Sequence, residues 1–301
     1  MARVSKLAAG LALAGALVLA LAACGGSSEP GRDLVLVSSR DGDYAIFGLA
    51  ADGSGQGRLT DERGDPSTQE DPDFSPDGRR IAFASGREGS FDIYVMNADG
   101  SGTERLTTGA ANDQQPSWSP DGRQIAFSRS TNGGHVFVMR SDGTGIRRLT
   151  DDLAPEREPA WSPTGEWIAY TRREPGTETV EIWLARTDGT ERRQLTTLGA
   201  EAAGPAWSPD GRRIAFAANR GGGRFDIYTI GVDGKGLRRA VRSAEDAFEP
   251  AWSPDGEILA FSRGGAIVTI DREGNEVQLT DPANNDSSPV WNPSPPADEE
   301  A

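Results

Sequence analysis

One sentence of residues recurs along this chain. PSWSPDGRQIAFSRS from Pro116, PAWSPDGRRIAFAANR from Pro205 and PAWSPDGEILAFSRG from Pro250 share both wording and spacing. The aromatic residue of this repeated word falls at Phe74, Trp118, Trp161, Trp207, Trp252 and Trp291, with successive spacings of 44, 43, 46, 45 and 39. A period near 44 is too long for the common helical solenoids and matches one four-stranded propeller blade. The 38 glycines and 19 prolines in 301 residues fit that reading, because tight turns between short strands need both.

The turns parse the unit. Pro116-Ser117-Trp118-Ser119 reads as a short first strand, and Pro120-Asp121-Gly122 turns the chain. Proline fixes φ there, and glycine supplies a left-handed position. Residues 125–128 and 136–139 make the second and third strands, Ser141-Asp142-Gly143-Thr144 turns again, and residues 147–150 make the fourth. The strands are nearly continuous apolar words, as expected when neighbouring blades cover both faces.

The two ends complement each other. From Leu34 the chain supplies second-, third- and fourth-strand words (LVLVSSR, AIFGLAADG, GRLTD) without a first strand. It finishes on Pro289-Val290-Trp291-Asn292, a first strand without a second. Joined, they complete one blade. The expected fold is therefore all-β, a closed six-bladed β-propeller over residues 34–292 whose C-terminal strand joins the first blade. Closure removes the edge strands that invite aggregation.

Units reading P-x-W-S-P-D-G-x-x-I-A-F, D-I-Y-V-M, D-G and R-x-L-T resemble the TolB-like β-propeller repeat family. TolB is the periplasmic component of the Tol–Pal system, and related repeats occur in prolyl oligopeptidases and oligogalacturonate lyases. The resemblance covers residues 34–292 and implies a propeller that binds proteins or peptides. The α/β domain that precedes the propeller in TolB has no counterpart in this sequence.

Residues 1–23 read as a secretory signal, with Arg3 and Lys6 ahead of a 17-residue apolar run from 7 to 23. The run ends in Leu21-Ala22-Ala23-Cys24, which resembles a bacterial lipobox and makes Cys24 the lipidated residue. Acylation would tie the protein to a lipid bilayer, and two or more chains give stable anchoring. An ordinary membrane anchor is the other reading. Both place the folded part on the extracytoplasmic side, in the periplasm or at the cell surface. Residues 24–33 then form a flexible tether, and 293–301 a disordered acidic tail.

Chemistry is narrowed by scarcity. With one cysteine and one histidine, no internal disulfide and no Cys/His zinc set can form. A net charge of −15 argues against nucleic-acid partners. No G-x-S-x-G word is present, and a Ser–His–Asp triad would have to use His135, which opens a third strand and is expected to face the rim. The expectation is a monomeric, non-enzymatic binding or scaffolding module without a cofactor. The alternatives are a ligand- or carbohydrate-binding propeller and a polysaccharide lyase or hydrolase acting at the channel mouth.

Two sets of residues recur at fixed places. An arginine follows each second strand (Arg40, Arg87, Arg129, Arg172, Arg220, Arg263), and an acid opens several third strands (Asp92, Glu181, Asp226). Their spacing predicts ion pairs such as Arg87 with Asp92 and Arg220 with Asp226. The candidate binding residues are those just before the first-strand proline, in loops expected to reach the central channel: Asp71, Gln115, Glu158, Glu249 and Ser288, with Gly204 in the fifth unit. Such a partly acidic funnel suits a basic peptide, a polar small molecule or a cation such as calcium, although no EF-hand loop is present. The repeated tryptophans read as inter-blade core rather than a sugar-binding stack. Trp207→Ala is therefore expected to cost roughly 3–5 kcal/mol, and an unchanged melting temperature would refute that placement.

Overall fold

The computed structural model describes residues 33–60, 68–131, 133–151 and 154–293. Cys24, the signal segment, the tether through residue 32 and the tail from residue 294 lie outside them. Six four-stranded sheets form a ring, every pairing within a sheet antiparallel. Blade one takes Leu34–Ser38, Ala45–Leu49 and Gly57–Arg58 from the N-terminal side and its inner strand, Ser287–Trp291, from the C-terminal side. Leu34 pairs with Trp291 and Val35 with Val290, so the ring closes where the incomplete end units predict.

The inner strands of blades two to six are Gln69–Phe74, Asp113–Trp118, Glu156–Trp161, Ala202–Trp207 and Ala247–Trp252. They begin three residues before the proline, earlier than the repeated word suggests. The outer strands are correspondingly short. In blade three, only Arg147–Arg148 pairs, and Leu149 and Thr150 leave the ladder. Thr150 turns its hydroxyl inward to accept the Val136 N–H at 3.1 Å. The same bond joins Thr60 to Ile46, Thr107 to Ile93, Thr196 to Ile182 and Thr280 to Ile267. This explains the threonine that ends R-x-L-T.

The aromatic wedge sits where the repeat predicts. Trp118 packs with Ala82, Ala84, Ile93 and Val95 of the preceding blade, and Trp161 with Ala126, Val136 and Val138. Trp291 seals the closing seam against Ala260 and Ile267. Trp207 and Trp252 occupy the same seams but are only half-buried.

The S-P-D-G turn is a hydrogen-bonded unit. Ser75 Oγ donates to Asp77 Oδ1 at 2.6 Å and accepts the Arg80 N–H at 2.9 Å. Ser208 with Asp210 and Ser253 with Asp255 repeat the pattern. The outer D-G turn has a second reason for glycine. Gly143 has φ +80°, and a Cβ there would lie 2.7 Å from the Leu106 carbonyl oxygen of the preceding blade. Gly189 has nearly the same φ, +81°, and open space around it.

These two glycines separate backbone strain from blade contact. Gly189→Ala is expected to cost about 1 kcal/mol, and Gly143→Ala a further 1–3 kcal/mol for displaced packing. Thermal melts of the two variants that coincide would contradict the docking of the turn onto its neighbour.

Candidate functional site

The channel-facing residues are not in loops. Asp71, Gln115, Glu158, Glu249 and Ser288 lie within the inner strands, each at a bulge that shifts the register with the second strand. All five have left-handed backbones, with φ between 50° and 56°, and Gly204 takes +59° in blade five. A proline follows each of them. A non-glycine residue in this region costs of order 1–3 kcal/mol, so the surrounding structure must enforce it.

That enforcement is visible from blade to blade. The Gln115 N–H donates to Asp71 Oδ2 at 3.2 Å, and the Glu158 N–H to Gln115 Oε1 at 3.1 Å. The Gly204 N–H donates to Glu158 Oε2 at 2.9 Å, and the Ser288 N–H to Glu249 Oε2 at 2.6 Å. Each side chain thus holds the equivalent backbone of the next blade. The left-handed turn aims the N–H sideways, which a regular strand cannot do. Gly204 has no side chain to extend the series to Glu249, and Ser288 Oγ turns back to Glu249 Oε1 at 3.1 Å. A second tier repeats the device, with the Trp118 N–H on Asp73 Oδ2 at 2.7 Å and the Trp161 N–H on Ser117 Oγ at 3.0 Å. The expected binding residues are therefore brought together, and four of them are also blade staples.

Below this ring the channel holds a cavity of about 470 Å3, lined by the six first-strand prolines, the six wedge aromatics and the carboxylates of Asp71, Asp73, Glu158 and Glu249. Burial pushes Asp71 up to about 8, helped by the nearby charges of Glu70, Glu249 and Glu158. Burial also pushes Asp73 up to about 7 and raises Glu158 and Glu70. Blade five stands opposite blade two in a ring of six, and its inner strand offers only Ala203, Gly204 and Ala206 against Glu70, Asp71 and Asp73. The channel therefore has one acidic wall and one nearly bare wall. No three His, Cys, Asp or Glu side chains among the described residues are grouped closely enough to hold a metal ion.

The predicted arginine–acid pairs are replaced by a different scheme. Asp92 takes Arg105 at 2.6 Å and Asp226 takes Arg239 at 3.1 Å, both from the fourth strand. Antiparallel pairing of third with fourth strand brings that arginine alongside, and Arg105 Nε also donates to the Thr107 carbonyl at 2.9 Å. Five of the arginines after the second strand lie over aromatic rings, and four of these also pair with acids other than the predicted ones, such as Arg40 with Asp286 and Arg129 with Asp113. Arg40 is 4.5 Å from Phe47, Arg87 4.5 Å from Tyr94 and Arg172 4.5 Å from Trp183. Such stacking uses a desolvated guanidinium face. His135 does not face the rim. It is 2% exposed, with Nδ1 3.3 Å from Glu156 Oε2 and 3.1 Å from Arg148 Nη2.

The family profile described as "TolB beta propeller domain" matches residues 27–180 and 157–296, and the chain belongs to that family. Among solved structures it is similar to TolB from Acinetobacter baumannii, at 20% identity and a TM-score of 0.75 over 87% of this chain. It spans 66% of that protein's length. A TolB structure from Agrobacterium tumefaciens matches at 23% identity and a TM-score of 0.68, covering 85% of this chain and 96% of the other. A chain of a nidogen–laminin complex matches at 14% identity and a TM-score of 0.71, covering 87% and 99%. No curated protein matches the chain by sequence.

The channel acids make stability pH-dependent. A folded carboxyl with a raised pKa binds more protons than its unfolded counterpart between about pH 4 and 8, so stability falls as pH rises through that window. The turn aspartates Asp77, Asp121, Asp210 and Asp255 are held low, first by their serine hydrogen bonds. Their contribution is lost only as pH falls below the ordinary carboxylate range. Asp71→Asn keeps an acceptor for Gln115 and tolerates positive φ, so it should raise the melting temperature at pH 8 and flatten the loss between pH 5 and 8. Parallel melting curves for the variant and the parent protein across this range would contradict the burial argument.

Proposed function

We propose that this chain is a lipid-anchored extracytoplasmic protein whose propeller binds protein or peptide partners of the cell envelope without catalysing a reaction. The observation that carries the reading is the division of labour among its residues. The repeated side chains are engaged in turns and seams, whereas the residues that vary between blades lie at the head of the inner strands, in and beside the channel. The position just ahead of each left-handed residue holds Glu70, Gln114, Arg157, Ala203, Phe248 and Ser287 in turn. Phe248 meets Phe225 with ring centroids 4.6 Å apart, and both are only half-buried, which leaves an aromatic patch at the seam of blades five and six. Aromatic anchors beside polar residues suit protein recognition.

Membership of the TolB propeller family supports this reading, as does the appearance of the same fold in a nidogen–laminin complex. His135 supports the absence of hydrolytic chemistry. Its buried Nδ1 lies between Glu156 and Arg148, out of reach of a substrate. The Leu-Ala-Ala-Cys24 word supports the anchor.

Two measurements test the proposal. Cys24→Ser should move the protein from the membrane fraction to the soluble one and remove the mass of the lipid, and a variant that stays membrane-bound would argue against acylation. Affinity capture from envelope extracts should return a partner that Phe248→Ala loses while its melt stays cooperative. Capture no better than background would contradict a binding role.

A further inference from the structure

The channel cavity belongs to the site already described, but a second cavity lies outside the channel and shares only Glu158 with it. It has a volume of about 400 Å3 and lies at the seam of blades four and five, lined by Arg157, Thr171, Arg173, Val180, Glu201 and Ala203 among others. Its origin can be read from the sheet register. Arg157 pairs with Thr171, and Arg173 with Val180 on the next strand. Paired residues share a face and so do residues two apart on a strand, which puts all four side chains on one side of blade four. The facing strand of blade five contributes only methyl groups at Ala202 and Ala203, where blade four itself has Glu156 and Arg157. Space is left between them.

Blade four is alone in placing two guanidinium groups here. The residues equivalent to Arg157 and Arg173 are Glu70 and Gly86 in blade two, Gln114 and Ser130 in blade three, Ala203 and Asn219 in blade five, and Phe248 and Gly264 in blade six. Arg173 reaches Glu178 at 2.6 Å, a pair whose carboxylate is almost fully exposed. Arg157 is exposed and its guanidinium makes no ion pair or hydrogen bond among the described residues; only its backbone carbonyl is engaged, by Thr171 Oγ1 at 3.1 Å. An unengaged arginine beside a cavity, in a chain of net charge −15, is placed for an anion from outside.

We propose that this cavity is a carboxylate subsite in which Arg157, supported by Arg173, grips the carboxylate of a peptide ligand. The inference rests on the reading of the propeller as a peptide-binding module and names the chemistry recognised at its blade-four edge. Glu158 in blade four and Glu201 just ahead of blade five's inner strand also line the cavity and set the charge of the ligand. They repel a doubly charged phosphate more than a carboxylate, and Glu201 stands ready for an amide or ammonium hydrogen on the same ligand. The carboxylate can be a peptide C-terminus or an acidic side chain, and the two are separable.

Hippurate mimics a C-terminal glycine, N-acetylglutamic acid α-amide mimics an internal acidic side chain, and hippuramide lacks the charge. The Arg157 and Arg173 Nε–H resonances should shift saturably with at least one of the two carboxylates and not with hippuramide. Saturation by hippurate points to a chain terminus, and saturation by the glutamate amide alone points to a side chain. Arg157→Gln should weaken the interaction at least tenfold while the melt is unchanged, and Arg173→Gln should weaken it less. Non-saturating shifts with both carboxylates, equal binding of hippuramide, or affinity indifferent to Arg157→Gln would overturn the proposal. Saturable hippurate binding without any captured envelope partner would count against the module reading and leave the subsite standing. A captured partner without carboxylate binding would do the reverse.

Discussion

The pairing of Leu34–Ser38 with Ser287–Trp291 is the constraint on which the rest of this molecule depends. Without it, blade one would lack its inner strand and Val35 and Val37 would expose an unpaired apolar edge. With it, Trp291 fills the last seam and every sheet has a neighbour on both faces. Short outer strands are affordable in such a ring because they carry little of the core. The buried aromatic and aliphatic residues lie instead in the seams, one wedge per blade, and those seams are cut wherever the ring opens.

Closure also explains the strained inner strands. Six strands converging on a channel cannot hydrogen-bond to one another edge to edge, so their backbones need other partners there. In four blades the left-handed residue before the proline turns its N–H toward the preceding blade, where a side chain accepts it. The device requires an acceptor of suitable length at Asp71, Gln115, Glu158 and Glu249, and it leaves carboxylates crowded in a narrow space. Their raised pKa values follow from that crowding and from burial. The channel's acidity is thus partly a consequence of holding the ring together.

The fold was legible in the sequence because each repeated word has a local cause. Proline and glycine in S-P-D-G dictate a turn, the tryptophan needs an apolar seam, and the unmatched first and last words demand closure. What was not legible depends on directions in space. Nothing in the text shows that Gln115 belongs to a bulged strand rather than a loop, since a residue before proline is ordinarily extended. The partner of Asp92 was misjudged because Arg87 is nearer in sequence, whereas the sheet places Arg105 beside it. The one available signal was an arginine two residues before the end of the fourth-strand word, Arg105 in ERLT and Arg239 in RRAV, in both blades where an aspartate opens the third strand. Likewise, the cavity beside Arg157 arises from Ala202 and Ala203, nearly 50 residues away, and only the ring order brings them together.

The most direct test of the account is to remove residues 287–301 and follow chemical denaturation of the remaining chain by tryptophan fluorescence. The ring-closure account predicts that the shortened chain loses its single cooperative transition, or unfolds at a much lower denaturant concentration with exposed apolar surface. A shortened chain with the midpoint and steepness of the full-length protein would contradict it, because the first blade would then be stable without the strand that completes it.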